Sequence, residues 1–324
     1  LTHASALLRA DHDSHALAAL QEQLLYDGLE QIERLGWVDF ARVASEAVHD
    51  WLTRALARQP DNVALQRELS VSHNKVGNVL VAQGQLGPAL SAYTASHTIT
   101  KQLATKDPGN AQWQHDLSVS HIKVGDVLVA QGQLDPALSA YTASHAIRKQ
   151  FATQDPGNVQ WQRSLAVSHI KVEDVLMAQG KLGPALSAYV ASRTIREQLA
   201  MQDPGSAQWQ RDLAVSRGKV GNVLVAQGQL DPALSVYTAG RTIFEQLVTQ
   251  DPGNAQWQRD LARSYMVIGE TFARQNERAK ASRYLEQART ISARLAKQDP
   301  TNVMWRDDLA WVQKRVAELG TAEK

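Results

Sequence analysis

Along residues 110–157, apolar and small side chains fall on two stripes with helical spacing. Trp113, Leu117, His121, Val124 and Leu128 follow at intervals of 4, 4, 3 and 4, the mark of one helical face. After Gly132 a second stripe runs through Ala137, Ala140, Tyr141, Ser144, Ile147 and Phe151. Asn110 stands where an N-cap would accept from first-turn amides. Asp135-Pro136 is read as the start of the second helix, with Asp as N-cap and Pro at the first helical position. Asp155-Pro156-Gly157 breaks that helix and turns the chain back. The pattern predicts two antiparallel helices, here A and B, joined by tight turns.

This pattern recurs. Asp-Pro returns at Asp107, Asp155, Asp203, Asp251 and Asp299, and Trp113, Trp161, Trp209, Trp257 and Trp305 keep the same period. The stretches beginning at Asn110 and Asn158 agree at 34 of 48 positions without a gap, so the chain is a tandem repeat. Upstream the register persists in weaker form, with Leu65 in the tryptophan position and Ser14 aligned with Asn62. The predicted organisation is a non-repeat lead-in, 1–13, then a degenerate repeat 1 at 14–61. Five full repeats follow (repeats 2 to 6: 62–109, 110–157, 158–205, 206–253 and 254–301), and a capping half-repeat at 302–324. Degenerate ends suit a solenoid, whose terminal faces have no neighbour.

Gly125, Gly132, Ala137 and Tyr141 carry a family likeness, repeated as Gly77, Gly84, Ala89 and Tyr93 and as Gly221, Gly228, Ala233 and Tyr237. In this order and spacing they resemble the tetratricopeptide (TPR) pattern, with Val124 and Leu128 at its large apolar positions. The resemblance implies an all-α, right-handed superhelical solenoid of antiparallel helix pairs: six repeats and a capping helix, thirteen helices in all. Two departures stand out. The period is 48 rather than the usual ~34, which lengthens both helices to roughly 30 Å at ~1.5 Å per residue. Glu173 also occupies the helix A glycine slot of repeat 4. A carboxylate in a tight helix contact is costly, so that pair is expected to splay or to turn the side chain outward.

Composition narrows the function. With 34 basic and 33 acidic residues and a net charge of +1, the chain has no basic stripe for nucleic acid and none for an anionic membrane surface. No apolar run reaches the ~18–20 residues of a membrane span, and no secretory signal pattern opens the sequence, which makes the cytoplasm the expected location. It contains no cysteine, which removes thiol catalysis and cysteine-based zinc sites.

Candidate chemistry is sparse. His73, His97, His121, His145 and His169 form a ladder spaced at half the repeat period, and imidazole is a common metal ligand. The matching positions later hold Arg193, Arg217, Arg241 and Tyr265, so framework sites explain them and neither a metal nor a cofactor is expected. Ser72-His73 and Ser120-His121 suggest a nucleophile and base, but adjacent helical residues point about 100° apart. Phosphate loops, HExxH and paired acid/base carboxylates are absent, and the chain is read as non-catalytic.

The TPR resemblance places ligands in a groove lined by helix A. Carried over, the groove residues are Asn78, Asp126, Asp174 and Asn222, beside the glycine slot. Ile122, Ile170, Val129 and Met177 lie about a turn away, with Lys123 and Lys171 at the rim. Glycine, alanine, tyrosine and tryptophan slots are assigned to packing, and the groove positions are taken as free of it. Arg148 is taken as facing outward on helix B. A clamp for a C-terminal carboxylate lacks its further lysine, since Asn74, Ile122, Ile170 and Gly218 stand there, and Asp126 and Asp174 would repel an acidic tail. The expected partner is a protein: a mostly apolar peptide or helix, with self-association through end repeats as a further interaction. The alternative is a regulatory arm of a larger bacterial signalling ATPase, protease or TIR-type effector. Such repeats resemble those arms, and the opening Leu1 and non-repeat lead-in are consistent with a fragment.

Overall fold

The computed structural model describes residues 38–321, with side chains for residues 45–320. Among these residues there are twelve helices and no strand. They are α1 (Val38–Arg58), α2 (Val63–Ala82), α3 (Leu86–Lys106), α4 (Ala111–Ala130), α5 (Leu134–Gln154), α6 (Val159–Ala178), α7 (Leu182–Gln202), α8 (Ala207–Ala226), α9 (Leu230–Gln250), α10 (Ala255–Arg274), α11 (Arg278–Gln298) and α12 (Val303–Thr321). The even-numbered helices are helix A of their repeats, or the cap, and the odd-numbered ones are helix B. The lead-in and the first helix of repeat 1, which would make the thirteenth, lie outside the described residues.

Local chemistry sets the period. Helix A has 20 residues and helix B 21, and connections of three and four residues complete each repeat of 48. Helix A opens on a side-chain cap, as Asn62, Asn110, Asn158, Ser206, Asn254 and Asn302 each accept from the amide three residues on. It closes on a left-handed residue. Gly132 sits at φ +75°, and Gln133 N–H reaches back to Leu128 carbonyl at 2.8 Å, the 6→1 bond of a Schellman cap. Repeat 6 replaces that glycine with Asn276 at φ 61°, the substitute that tolerates this conformation best.

The start of helix B differs from expectation. Gln133 is the N-cap of α5 and makes no side-chain cap bond, so Asp135 and Pro136 are the second and third helical residues. Proline is tolerated there because the first four helical N–H groups lack intrahelical partners in any case. Asp135 instead adds negative charge to the first turn, where the helix dipole favours it.

The chain divides into two compact units, one ending at Trp161 and the other starting at Gln162. In the first, α1 to α5 pack consecutively; Ala89, Tyr93 and Val127 form one core cluster and Val48, Leu52 and Leu69 another. In the second, α7 to α12 pack consecutively. Leu213, Phe244, Leu247, Leu261, Leu285 and Val312 belong to one of its clusters, and Tyr189, Val223, Tyr237 and Ile268 to the other.

Glycine is required in helix A because a tyrosine of helix B lies on it. A Cβ at Gly77, Gly125 or Gly221 would sit 2.4–2.5 Å from the ring of Tyr93, Tyr141 or Tyr237. In repeat 6 Leu285 takes the ring's place, 2.8 Å from a Cβ at Gly269. Repeat 4 departs from the rule and from the expectation. Glu173 is turned inward and fully buried, neither carboxylate oxygen has a hydrogen-bond partner, and Tyr189 remains buried beside it. Burial, followed by the charge of Asp174, pushes the Glu173 carboxyl up to about 9 against the pull of Arg196 and Lys219.

Two more expectations are corrected. Arg148 is 5% exposed and donates from Nε to Ser118 Oγ at 3.1 Å, so it does not face outward; burial lowers its pKa to about 10. Trp161 is buried but Trp209 is half-buried, with the Arg163 guanidinium 5.5 Å over its ring.

Candidate functional site

The helix A positions beside the glycine slot carry a repeated polar contact. Tyr93 Oη donates to Asn78 Oδ1 at 2.8 Å, Tyr141 to Asp126 at 2.7 Å and Tyr237 to Asn222 at 2.6 Å; Tyr189 donates to Asp174 in the same way. A lysine from helix A of the following repeat joins two of these sites. Lys123 Nζ reaches Asn78 at 2.9 Å, and Lys219 reaches Asp174 at 2.7 and 2.9 Å. In the cap, Arg315 takes the lysine's role and grips Glu270 at 2.8 and 3.0 Å. Asn78, Asp126, Asp174 and Asn222 therefore serve the framework as well as the surface, contrary to the expectation that packing leaves them free. Charge reversal at Asp174 would expel Lys219 and Tyr189, so a thermal melt unchanged by it is no longer expected.

A second contact was not read from the sequence. Arg67 pairs with Asp116, Arg211 with Asp260 and Arg259 with Asp308, each at 2.6 Å, and Arg163 with Asp212 at 3.6 Å. All four join one helix A to the next, one position beyond the repeat period. Partly exposed pairs are worth only about 0–1 kcal/mol, so they set register between repeats more than they stabilise them. The signal was present in the Gln-Arg-Asp run of helix A, at Gln210 and again at Gln258, where the arginine of one repeat meets the aspartate of the next.

The other predicted groove residues divide. Ile170 and Met177 pack on the core cluster around Tyr189 and Val220, Ile122 is half-buried, and Val129 is 39% exposed. Lys123 is turned to Asn78, while Lys171 is half-buried on α6.

In the second compact unit the helix A face opens into two adjoining clefts of about 530 and 310 Å³. Both are lined by Asn222, Tyr237, Arg263 and Val267. The larger adds Val225, Met266, Glu270, Arg274 and Trp311. Of the groove residues named above Asn222 lies here, and the matching groove positions of its own and the next repeat, Gly218, Lys219, Val225 and Glu270, line the clefts with it. The sequence reading missed Arg263, Arg274 and Trp311 because it looked for what repeats, and these break the repeat.

Three members of the histidine ladder sit in ring pairs, one of them with His49, a step upstream of the ladder. His49 and His73 have centroids 4.5 Å apart, and His97 and His121 4.4 Å. Among the described residues no group of three or more His, Asp or Glu side chains is placed to hold a metal ion. Ser120 faces His97 Nδ1 at 3.0 Å, but it is fully buried and donates to the Leu117 carbonyl. It is a packing hydroxyl out of reach of substrate. Burial, then the facing histidine, lowers the pKa of His73 and of His121 to about 4. Their stability contribution is complete above the ordinary 6.5 and is lost as pH falls from 6.5 towards 4, because only the unfolded chain takes up protons there. His121→Gln is therefore expected to remove part of the acid sensitivity. Denaturation midpoints of variant and wild type should converge between pH 7 and 4.5, and parallel curves would refute the assignment.

No protein-family model and no curated protein sequence matches the chain. Solved structures do. BtubC (BKLC) from P. vanneervenii has a TM-score of 0.62 at 13% identity, covering 80% of this chain and 92% of its own. Aspartyl phosphate phosphatase F from Bacillus subtilis gives 0.59 at 12%, covering 95% and 71%. The nearly identical TPR-like repeats of a kinesin light chain-type protein from Podosopora anserina give 0.51 at 17%, covering 72% and 98%. The fold is TPR-like. At these identities the likeness concerns the fold alone, and the TPR-like frame assigns framework and surface within each repeat. Among the described residues no helix is long and apolar enough to cross a membrane.

Proposed function

We propose that this TPR-like chain is a non-catalytic protein-interaction scaffold that holds a peptide or helix of a partner protein along its helix A face. The observation carrying this reading is the open, largely apolar cleft on α8, α10 and α12. Two of its lining positions, Arg263 and Arg274, depart from the valine and alanine that the other full repeats carry there, while the glycine, alanine and tyrosine positions are largely kept. A surface kept only for packing would have no reason to vary there alone. Clefts that take small apolar groups beside a few fixed polar groups are ordinary recognition sites.

Asn222 enters the cleft, Asp174, Ile170, Met177 and Lys171 extend the proposed surface within the second unit, and Asn78, Ile122, Asp126, Val129 and Lys123 are the equivalent helix A positions of the first. The test is selection of peptides from a random library on the purified chain, followed by hydrogen-exchange footprinting. Protection should fall on α8 and α10 rather than on α9 or α11. Gln246→Lys, exposed on α9, serves as the helix B control in place of Arg148 and should leave affinity unchanged. A footprint confined to helix B, or no peptide binding at ~100 μM, would refute the scaffold reading.

A further inference from the structure

Repeat 6 departs from its neighbours at surface positions of helix A. Where the other full repeats carry Val71, Val119, Val167 and Val215, it has Arg263; where they carry Ala82, Ala130, Ala178 and Ala226, it has Arg274. Both arginines are exposed and line the larger cleft. Neither is needed for the fold, since four repeats fold with valine and alanine in their places.

Every carboxylate lining the two clefts already holds a cation. Asp260 is paired with Arg211, Asp308 with Arg259 and Glu270 with Arg315. Arg263 and Arg274 make no ion pair or hydrogen bond among the described residues. The cleft thus presents two uncompensated guanidinium groups over a floor that includes Val225, Met266, Val267 and Trp311. Val267 replaces the lysine that the pattern would send to Asn222, so among the described residues Asn222 has Tyr237 as its partner and retains hydrogen-bonding capacity towards the cleft.

Geometry fixes the spacing. The arginines stand eleven positions apart, close to three full helical turns, which puts them on one face roughly 16 Å apart. An extended chain advances ~3.3 Å per residue and turns every second side chain to the same face, so acidic side chains four residues apart, about 13 Å along the chain, share a face and with the length of the arginines would meet both. We propose that this cleft recognises an extended segment of a partner protein in which two carboxylate side chains, four residues apart and so on one face of the strand, flank an apolar side chain. The inference rests on the scaffold reading and names its partner class. An extended segment is favoured over nucleic acid because the floor is apolar and the chain's net charge is only +1.

The experiment uses a fluorescein-labelled nine-residue peptide, amidated at its C-terminus and carrying the dye on its N-terminus, so that no terminal carboxylate contributes. Glu stands at its second and sixth positions, Leu at its fourth, and Ala, Ser and Gln elsewhere. A second peptide has Lys for both Glu. Anisotropy titrations compare the full chain with Arg263→Val, Arg274→Ala and the double variant, each checked by thermal melt. These substitutions restore residues that other repeats tolerate, so the melts should superimpose. Wild type should bind the Glu peptide at least tenfold more tightly than the Lys peptide, each single variant should lose about fivefold, and the double variant should lose the preference. No preference in wild type, a double variant that binds like wild type, or oligouridylate competing more strongly than the unlabelled peptide would each overturn the inference. Library peptides footprinting on helix A while this peptide fails would leave the scaffold reading standing and remove only this one.

Discussion

Glu173→Gly should make the chain more stable by about 2 kcal/mol at pH 7 and should flatten its response to alkaline pH. The folded carboxyl is held up to about 9 against an ordinary 4.5, so between these values the folded state keeps a proton that the unfolded chain releases. Its contribution is complete below pH 4.5 and declines as pH rises, by roughly 1.4 kcal/mol per unit, until about pH 9. At pH 7 that amounts to about 3 kcal/mol, from which glycine's helix penalty of about 1 kcal/mol is subtracted. Both oxygens also lack hydrogen-bond partners, a cost the protonated acid still bears. The variant restores a pairing already present at Gly125 with Tyr141 and at Gly221 with Tyr237. Glu173→Gln separates the two effects: it should remove the pH slope but keep an unsatisfied polar group. Urea denaturation at pH 5, 7 and 9 reads all three proteins. Coincident curves for wild type and Glu173→Gly would show that the carboxyl is hydrated in solution.

Trp161→Ala should cost about 3–5 kcal/mol, the range for truncating a buried indole. Trp161 stacks on Phe151 with centroids 4.8 Å apart and presents an edge to His115 at 5.7 Å. Trp209 occupies the same position in the next repeat but is half-buried under Arg163, so Trp209→Ala should cost clearly less. In an array stabilised by nearest-neighbour contacts, damage stays close to the lesion. Hydrogen exchange in Trp161→Ala should speed up across residues 111–161 while α9 to α11 keep their protection. Uniform loss along the whole chain, or equal costs for the two tryptophans, would contradict this account.

Much of the fold was legible because its signals are local. Gly132, Asn110 and Asp155-Pro156-Gly157 each act within a few residues, and their recurrence fixed the period and both helices. Departures came where a side chain's fate depends on another helix. Arg148 looked solvent-facing from its charge, yet Ser118 Oγ receives its Nε inside the packing. Glu173 stood out as an anomaly, but a sequence does not reveal whether a helix pair opens or closes over it. The Tyr–Asx–Lys and Arg–Asp contacts hid for another reason. The partners on successive helices A stand three positions short of the period in one case and one position beyond it in the other. A search for identity at the period passes over complementarity beside it. At the candidate site the same habit found Asn222 and missed Arg263, because an average over repeats erases what one repeat does differently.

The Arg–Asp staples are directional: α8 offers Arg211 onward to Asp260 and Asp212 back to Arg163, and α10 repeats the arrangement with Arg259 and Asp260. Such head-to-tail interfaces do not close on themselves, and a chain carrying both halves at its two ends could add copies without limit. Residues 302–324 lack the onward half. Where the pattern calls for arginine, α12 has Asp307. Glu318, at the Asx position, is already bound by Arg315 of its own helix. Asp307 and Glu318 thus mark α12 as the helix at which the Arg–Asp relay stops among the described residues, the last arginine to pass it on being Arg259.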